Sequence, residues 1–432
     1  MSKVKDIGLA EEGMKELEWA EKNMPILGAI KERFEKELPL KGKKVSVALH
    51  LEKKTGQLIR TLRAGGATVR VASCNPLTTD DRVAAALTKF DGIEVFAWAN
   101  QSNEDYYANL NSVLDSKPNL LIDDGADLIN IIHFKRPELI ENVVGASEET
   151  TTGIIRLKAM EKEGALKFPI MNANGAYSKH LFDNRYGTGQ SALNAIMTIT
   201  NNLIAGKNVV VVGYGWCGRG LAIRARGMGA RTIVIEAGDR MPYAKETEPS
   251  GWHKGLEALY EGFEVMNMEQ AAPIGDLFIT ATGDKKVIDI EHMKLMKDGA
   301  MLANAGHFDI EIDIPGLEKI AKEIKEINPN CEEYLLKDGK RLYILSKGRL
   351  VNLARPAGQG HPLEIMDGSF AVQALALEYI AKNEGKLPKE VINIPTELDD
   401  YVAQMALESH NINLQPLTDE QREYLTGFKE GT

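Results

Sequence analysis

Glycines at 213, 215 and 218 stand at G-x-G-x-x-G spacing directly after Val209-Val210-Val211-Val212. That spacing suits the binding of a pyrophosphate. The first glycine allows a tight turn, the second lets backbone approach the phosphates, and the third lets a helix pack closely on the strand. Unpaired N–H groups at the start of that helix then face the negative charge. Glu236 closes the next apolar run, Thr232-Ile233-Val234-Ile235. It lies roughly 20 residues beyond the loop, where dinucleotide folds carry the acid that holds a ribose. Strand, loop, a helix over 221–229 and the acid in register predict a bound NAD. The glycines alone would equally suit a βα turn with no ligand. Arg240, near the acid, leaves NADP as a lesser alternative.

A second set of chemically capable residues follows other apolar runs. His50 comes after the first, Asn75 after the second, and Asp123-Asp124 after Leu120-Leu121-Ile122. Glu148-Glu149 follow Val143-Val144-Gly145 and lead into Thr150-Thr151-Thr152. Ligands of open parallel sheets bind beyond the carboxyl ends of the strands, so this succession predicts a polar pocket. Singly, each residue also fits a helix cap or a solvated loop. Lys179 and Asp183, with Asn184 alongside, are spaced to share one helical face, where a surface ion pair is the plainer reading. His307 sits in Ala305-Gly306-His307-Phe308-Asp309, just past a strand of the later region, within reach of a cofactor or substrate. The histidines and cysteines show no metal-ligand spacing, so no metal is expected. No G-x-S-x-G and no Walker loop occurs.

These residues need rigid sheets behind them. Apolar runs at 45–49, 68–72, 93–98, 119–122 and 143–145 alternate with helical segments such as 57–65 and 82–89, a βαβ pattern that implies a mostly parallel sheet. A second alternation runs from 208 to about 351, with strands near 277–280 and 300–303. Residues 1–40 read as helical. The fold class expected is α/β, with two doubly wound parallel-sheet domains and a small C-terminal segment. The two sheets are joined near 185–205 and 350–362, which places a cleft between them. Glycines 187, 189, 358 and 360 at those crossings suggest mobile hinges and a closing motion. The 432 residues carry a net charge of −10, which argues against nucleic acid or an anionic membrane as partner. No apolar run reaches a membrane span. Three cysteines, no signal-peptide core and ordinary composition point to the cytoplasm.

The blocks Cys74-Asn75-Pro76, Asp123 through Leu128, Ser147-Glu148-Glu149-Thr150-Thr151-Thr152-Gly153, Phe182-Asp183-Asn184-Arg185-Tyr186-Gly187, Gly306-His307-Phe308-Asp309 and Gly348 through Leu353 carry a resemblance. With the glycine loop they make the chain similar to the S-adenosylhomocysteine hydrolase family over nearly its whole length. The resemblance implies a Rossmann NAD domain over 189–355, a substrate-binding domain over 1–188 and 356–392, and a C-terminal segment over 393–432. It implies a tightly bound NAD that oxidises a 3′-hydroxyl. The ketone then acidifies C4′, homocysteine leaves, water adds at C5′ and the ketone is reduced again. Lys179, as base, and Asp183 would serve the oxidation. Glu149 would hold the ribose, Asp124 and His50 would move protons at C4′ and C5′, and His307 and His361 would flank the ribose and homocysteine. Thr150, Thr151, Thr152, Asn184, Glu236 and Asn352 would join Gly213, Gly215 and Gly218 in holding NAD. Met366 and Phe370 complete the expected substrate contacts. A lysine base requires a lowered pKa, through burial or a neighbouring cation. A homo-oligomer, tetramer or dimer, is expected, acting on a small nucleoside thioether.

Departures from the family bear on the base. Many members carry H-x-T-x-E after the first strand; here it reads His50-Leu51-Glu52-Lys53-Lys54. Lys54 would favour a 6-oxo group and Glu52 an amino group. S-adenosylhomocysteine is the substrate expected, S-inosylhomocysteine the alternative. A silent NAD-binding paralogue and a simple dehydrogenase are further alternatives, disfavoured by retention of the full set of acids and bases. An insertion over about 238–254 lies near the ribose acid.

Overall fold

β-Branched and small apolar residues buried on both faces build two sheets, as parallel strands require. The computed structural model describes residues 2–242 and 248–428. The first sheet runs, edge to edge, Lys3–Val4, Ile93–Ala97, Thr68–Ala72, Lys44–Ala48, Leu120–Asp123, Gly145–Glu148, Ile170–Asn172 and Val391–Asn393, all parallel. Strand order reverses between Lys44–Ala48 and Leu120–Asp123, so the crevice beyond their carboxyl ends is the switch point of this sheet. His50 and Asp124 lie there. Helices Ala10–Lys22, Pro25–Glu37, Lys53–Ala64 and Leu363–Lys382 pack their apolar faces on the sheet.

The second sheet runs Glu264–Val265, Arg231–Ile235, Asn208–Val212, Leu277–Thr280, Ala300–Asn304 and Arg341–Leu345 in parallel. It ends in Cys331–Leu336 and Ala321–Asn328, which pair antiparallel, so this sheet is mixed at one edge. Its switch point, between Asn208–Val212 and Leu277–Thr280, holds the glycine loop. Val209, Val210 and Val211 are fully buried between the clusters on either face.

One expectation shifts. The strand expected at 143–145 is Gly145–Glu148 instead. Its four residues are all buried, and it is small rather than β-branched because a Cβ on Gly145 would stand 2.8 Å from Ile380. Glu148 therefore ends a strand rather than following one. The glycines at the crossings are closely packed in this structure. A side chain at Gly189 would collide with the Gly220 carbonyl, one at Gly187 would lie 2.7 Å from the His361 ring, and one at Gly358 would lie 2.6 Å from the Leu353 backbone.

Candidate active site

The two switch points face each other across one cavity of about 1030 Å³. Every site residue expected from the sequence lines it except Gly218. Gly218 instead lets the helix Trp216–Gly227 approach the strand, since a Cβ there would collide with the Gly213 carbonyl.

At the glycine loop, Gly213 has φ +98°, a left-handed conformation that glycine alone adopts freely. Gly215 caps the helix, and a Cβ on it would meet nothing within 4 Å. Open space in front of a helix N-terminus is what a pyrophosphate needs. Glu236 accepts hydrogen bonds from the N–H groups of Tyr214 at 2.7 Å and Ala237 at 3.0 Å, which fix its carboxylate beside the loop. Asn352 donates to Ser191 Oγ at 3.1 Å, while its buried Oδ1 and the buried Thr152 hydroxyl have no hydrogen-bond partner among the described residues. Buried polar atoms are costly to leave unpaired, so these fit a polar cofactor at the cavity wall. Arg240 donates to the Glu248 carbonyl. Of the 238–254 insertion, residues 243–247 lie outside the described residues.

Lys179 closes a short helix, and a π-helix, His180–Gly187, follows. The wider turn puts both the fourth and the fifth residue onward beside the ammonium. Lys179 Nζ stands 3.4 Å from Asp183 Oδ1 and donates to Asn184 Oδ1 at 2.8 Å. Glu149 Oε1 approaches from the first sheet at 3.4 Å. His361 Nδ1 lies 2.9 Å from Asp183 Oδ1. Burial alone would lower the Lys179 pKa, but Asp183 and Glu149 outweigh it and hold it above the ordinary lysine value. The lowered pKa expected for a lysine base is therefore corrected: its neighbours are anions. Burial lifts Glu149 to about 7 against the pull of Lys179. Asp183, despite burial, is held below the usual carboxylate range by Lys179 and His361.

The second cluster joins the sheets. His50 Nε2 lies 3.3 Å from Asp124 Oδ2, and His307 Nδ1 lies 3.5 Å from Asp124 Oδ1. These ligand-type atoms all fall within 4.8 Å of one another, a proximity that spacing in the sequence did not reveal. Thr78 Oγ1 lies 2.9 Å from His50 Nδ1 and 3.3 Å from the Asn75 carbonyl; with its one hydrogen given to that carbonyl, it accepts from His50 Nδ1–H. The Nε2 lone pair is then left facing Asp124, so a proton taken up by either can pass to the other. Burial lowers the His50 pKa to about 4, with Asp124 opposing. Gly125, at φ +98°, admits His307, whose Nε2 would lie 2.6 Å from a Cβ there. Glu148 accepts from the N–H groups of Gly125, Ala126 and Thr150 at 2.8–3.0 Å, so one carboxylate braces both the Asp124 loop and the threonine run.

The family model described as S-adenosyl-L-homocysteine hydrolase matches residues 1–138, and its NAD binding domain matches residues 184–358. The chain is 54% identical to an adenosylhomocysteinase of Pyrococcus abyssi over 99% of this chain and 98% of that one. It is 55% identical to an S-inosyl-L-homocysteine hydrolase of Methanocaldococcus jannaschii over the whole of both chains. An adenosylhomocysteinase of Aquifex aeolicus shares 53% over 99% of each. The chain belongs to the S-adenosyl-L-homocysteine hydrolase family. Its cofactor is NAD, and no helix among the described residues is long and apolar enough to cross a membrane.

Further side chains, outside the sequence motifs, brace the site of this family member. Ser369 Oγ and Gln373 Nε2 donate to Glu149 at 3.0 and 2.6 Å. They stand four apart on the buried helix Leu363–Lys382, next to Met366 and Phe370, and two polar residues within an apolar helical run were the available signal. Glu311 accepts from the backbone of Thr282 and Gly283 at 2.9 Å and holds that turn beside the loop. Glu52 and Lys54, which also line the cavity and are each 2% exposed, form an ion pair of 2.9 Å. Burial brings the Lys54 pKa below the ordinary lysine value, with Glu52 opposing.

Proposed function

We propose that the chain catalyses the reversible hydrolysis of S-adenosyl-L-homocysteine to adenosine and L-homocysteine. The observation that carries this reading is the pair of proton-transfer clusters, Glu149–Lys179–Asp183 and His50–Asp124–His307, in the one cavity that also holds the glycine loop. Gly213, Gly215, Glu236, Thr150, Thr151, Thr152, Asn184 and Asn352 hold NAD, which when bound takes a hydride from C3′ and later returns it. Lys179 passes a proton to Glu149, and its freed amine accepts the proton of the 3′-hydroxyl. Glu149 is suited to this by its pKa of about 7. Asp183 and His361 orient the lysine. With C3′ oxidised, Asp124 removes the C4′ proton, and that proton passes through His50 Nε2 to the departing sulfur. In the hydration half, His50 Nε2 accepts a proton from the water that adds at C5′, and C4′ is reprotonated. His307 lines the same side and shields it. Residues 1–188 and 356–392 serve as the substrate domain, 189–355 as the NAD domain and 393–432 as a C-terminal segment. The C-terminal arm, with Leu414, Tyr424, Leu425 and Phe428 exposed, supports association between copies.

Lys54 in the cavity favours a second reading, with S-inosyl-L-homocysteine as substrate, in line with the name of the Methanocaldococcus jannaschii relative. Incubating the purified protein with homocysteine and adenosine or inosine, and following the thioether by mass spectrometry, tests both. Formation of neither thioether would reject the function.

A further inference from the structure

We propose that Gln373 and Ser369 are positioning residues for 3′-oxidation: from the wall behind the cavity they hold the Glu149 carboxylate in the ionised form that can accept the Lys179 proton. The inference rests on the proposed function above and deepens it.

Neither residue lines the cavity, and both are fully buried on the helix Leu363–Lys382. They reach the chemistry only through Glu149. Gln373 Nε2 donates to Glu149 Oε2 at 2.6 Å and Ser369 Oγ donates to Oε1 at 3.0 Å, so each carboxylate oxygen has its own neutral donor. An ionised carboxylate only accepts, so the Gln373 amide must present its NH2 end. Its Oε1 is left buried with no hydrogen-bond partner among the described residues. An unpaired buried acceptor is costly to the fold. Val372, Ala374 and Leu375 beside it are apolar and buried, so an apolar side chain would suit packing better here. The one bond this amide makes is to Glu149, and that bond accounts for its presence. The need for it follows from the charges around Glu149. Burial, Asp183 and Asp124 favour the protonated form, which cannot take a proton from Lys179. Lys179, 3.4 Å from Oε1, favours the ionised form, but it loses its charge as it hands the proton over. The neutral donors keep their polarity throughout, and hydrogen bonds to the charged form lower a carboxyl pKa. Ser369 is also a hydrogen-bonding neighbour of Asp183, so one hydroxyl ties together the two carboxylates that flank the ammonium.

The test uses the NAD-loaded enzyme mixed with adenosine or inosine, with NADH formation followed at 340 nm from pH 5 to 10. The wild-type rate is expected to climb through about pH 7. Gln373→Met keeps the length of the side chain and removes both amide atoms. Its limb is expected to move up by about one to two pH units, as loss of one hydrogen bond to a charged group does, with the plateau rate kept within a few-fold. Ser369→Ala is expected to move the limb in the same direction. Thermal melts of the cofactor-free protein at pH 5, where Glu149 is protonated, should find Gln373→Met no less stable than the wild type. A merely structural role predicts instead a lower melting temperature at pH 5 and a rate reduced at every pH about an unmoved limb. That result, or an unmoved limb in either variant, overturns the proposal. A wild-type rate that does not vary with pH rejects Glu149 as the acceptor, and no NADH from either nucleoside rejects the underlying function; the inference falls with each.

Discussion

Lys179 Nζ stands 3.4 Å from Asp183 Oδ1, two residues joined by the start of a π-helix. With Glu149 at the same distance on another side, the ammonium sits between two buried carboxylates. Breaking a buried pair of this kind leaves an uncompensated charge, so the cluster is strongly constrained. An ammonium held in this way can act as a base only after handing a proton to a neighbour.

Replacing Lys179 with Ala is expected to cost 3′-oxidation about 10²–10⁴-fold, the usual scale for loss of a positioned base. Stopped-flow absorbance at 340 nm, on mixing NAD-loaded enzyme with adenosine, reads that step directly. Formation of NADH at the wild-type rate would remove Lys179 from the mechanism.

The pH dependence follows from Glu149. Its carboxyl is raised by burial from 4.5 to about 7, and the ionised form is the one able to take the Lys179 proton. The rate of 3′-oxidation should therefore climb as pH rises through about 7 and then level off. Glu149→Gln should be slow and lack that limb. The stability effect has the opposite sense. A raised pKa contributes stability that is complete below 4.5 and is lost as pH climbs through about 7. Urea midpoints between pH 5 and 8 should fall further for the wild type than for Glu149→Gln. A pH-independent oxidation rate would exclude Glu149 as the acceptor.

Two glycines of the loop separate binding from folding. Gly215→Ala adds a methyl where nothing lies within 4 Å, so the apo protein should melt as the wild type does while NAD affinity falls on the order of tenfold or more. Gly218→Ala drives a methyl into the Gly213 carbonyl and should destabilise the fold by about 1–3 kcal/mol. Thermal melts of cofactor-free protein, paired with NAD titration, distinguish the two. Equal melting losses in both variants would mean that Gly215 is structural.

The glycine loop was readable because its signals are local: turn, helix start and acid fall within one βαβ unit. His50, Asp124 and the Glu149 run were readable for a related reason, since polar residues at strand ends must face a crevice. What escaped depends on contacts between distant segments. Gly145–Glu148 carries no β-branched signature, and its place is set by Ile380 across the sheet. Ser369 and Gln373 look like ordinary helix residues until the helix is laid on Glu149, over 200 positions earlier. The charge state of Lys179 was misjudged because burial and two facing carboxylates oppose each other, and their balance is visible only in space.

Thr78 offers the sharpest separation of the two clusters. Its hydroxyl touches His50 Nδ1 at 2.9 Å and is tied to the Asn75 carbonyl, and its hydrogen-bond partners do not include Lys179, Glu149 or Asp183. Thr78→Val keeps the shape and removes the acceptor. His50 then loses the bond that selects its tautomer, and a buried Nδ1–H is left unpaired, a cost of about 1–3 kcal/mol. The ring can relieve that cost by moving the proton to Nε2, the atom that must accept one at C5′. Oxidation of adenosine, read at 340 nm, should therefore stay within a few-fold of the wild type. Thioether formation, and exchange of the C4′ hydrogen in deuterated water, should slow on the order of 10- to 100-fold. Thr78→Ser, which restores the hydroxyl, should recover both. If oxidation fell in step with thioether formation, Thr78 would be acting on the cavity as a whole, and the division of labour between the Lys179 and His50 clusters would be wrong.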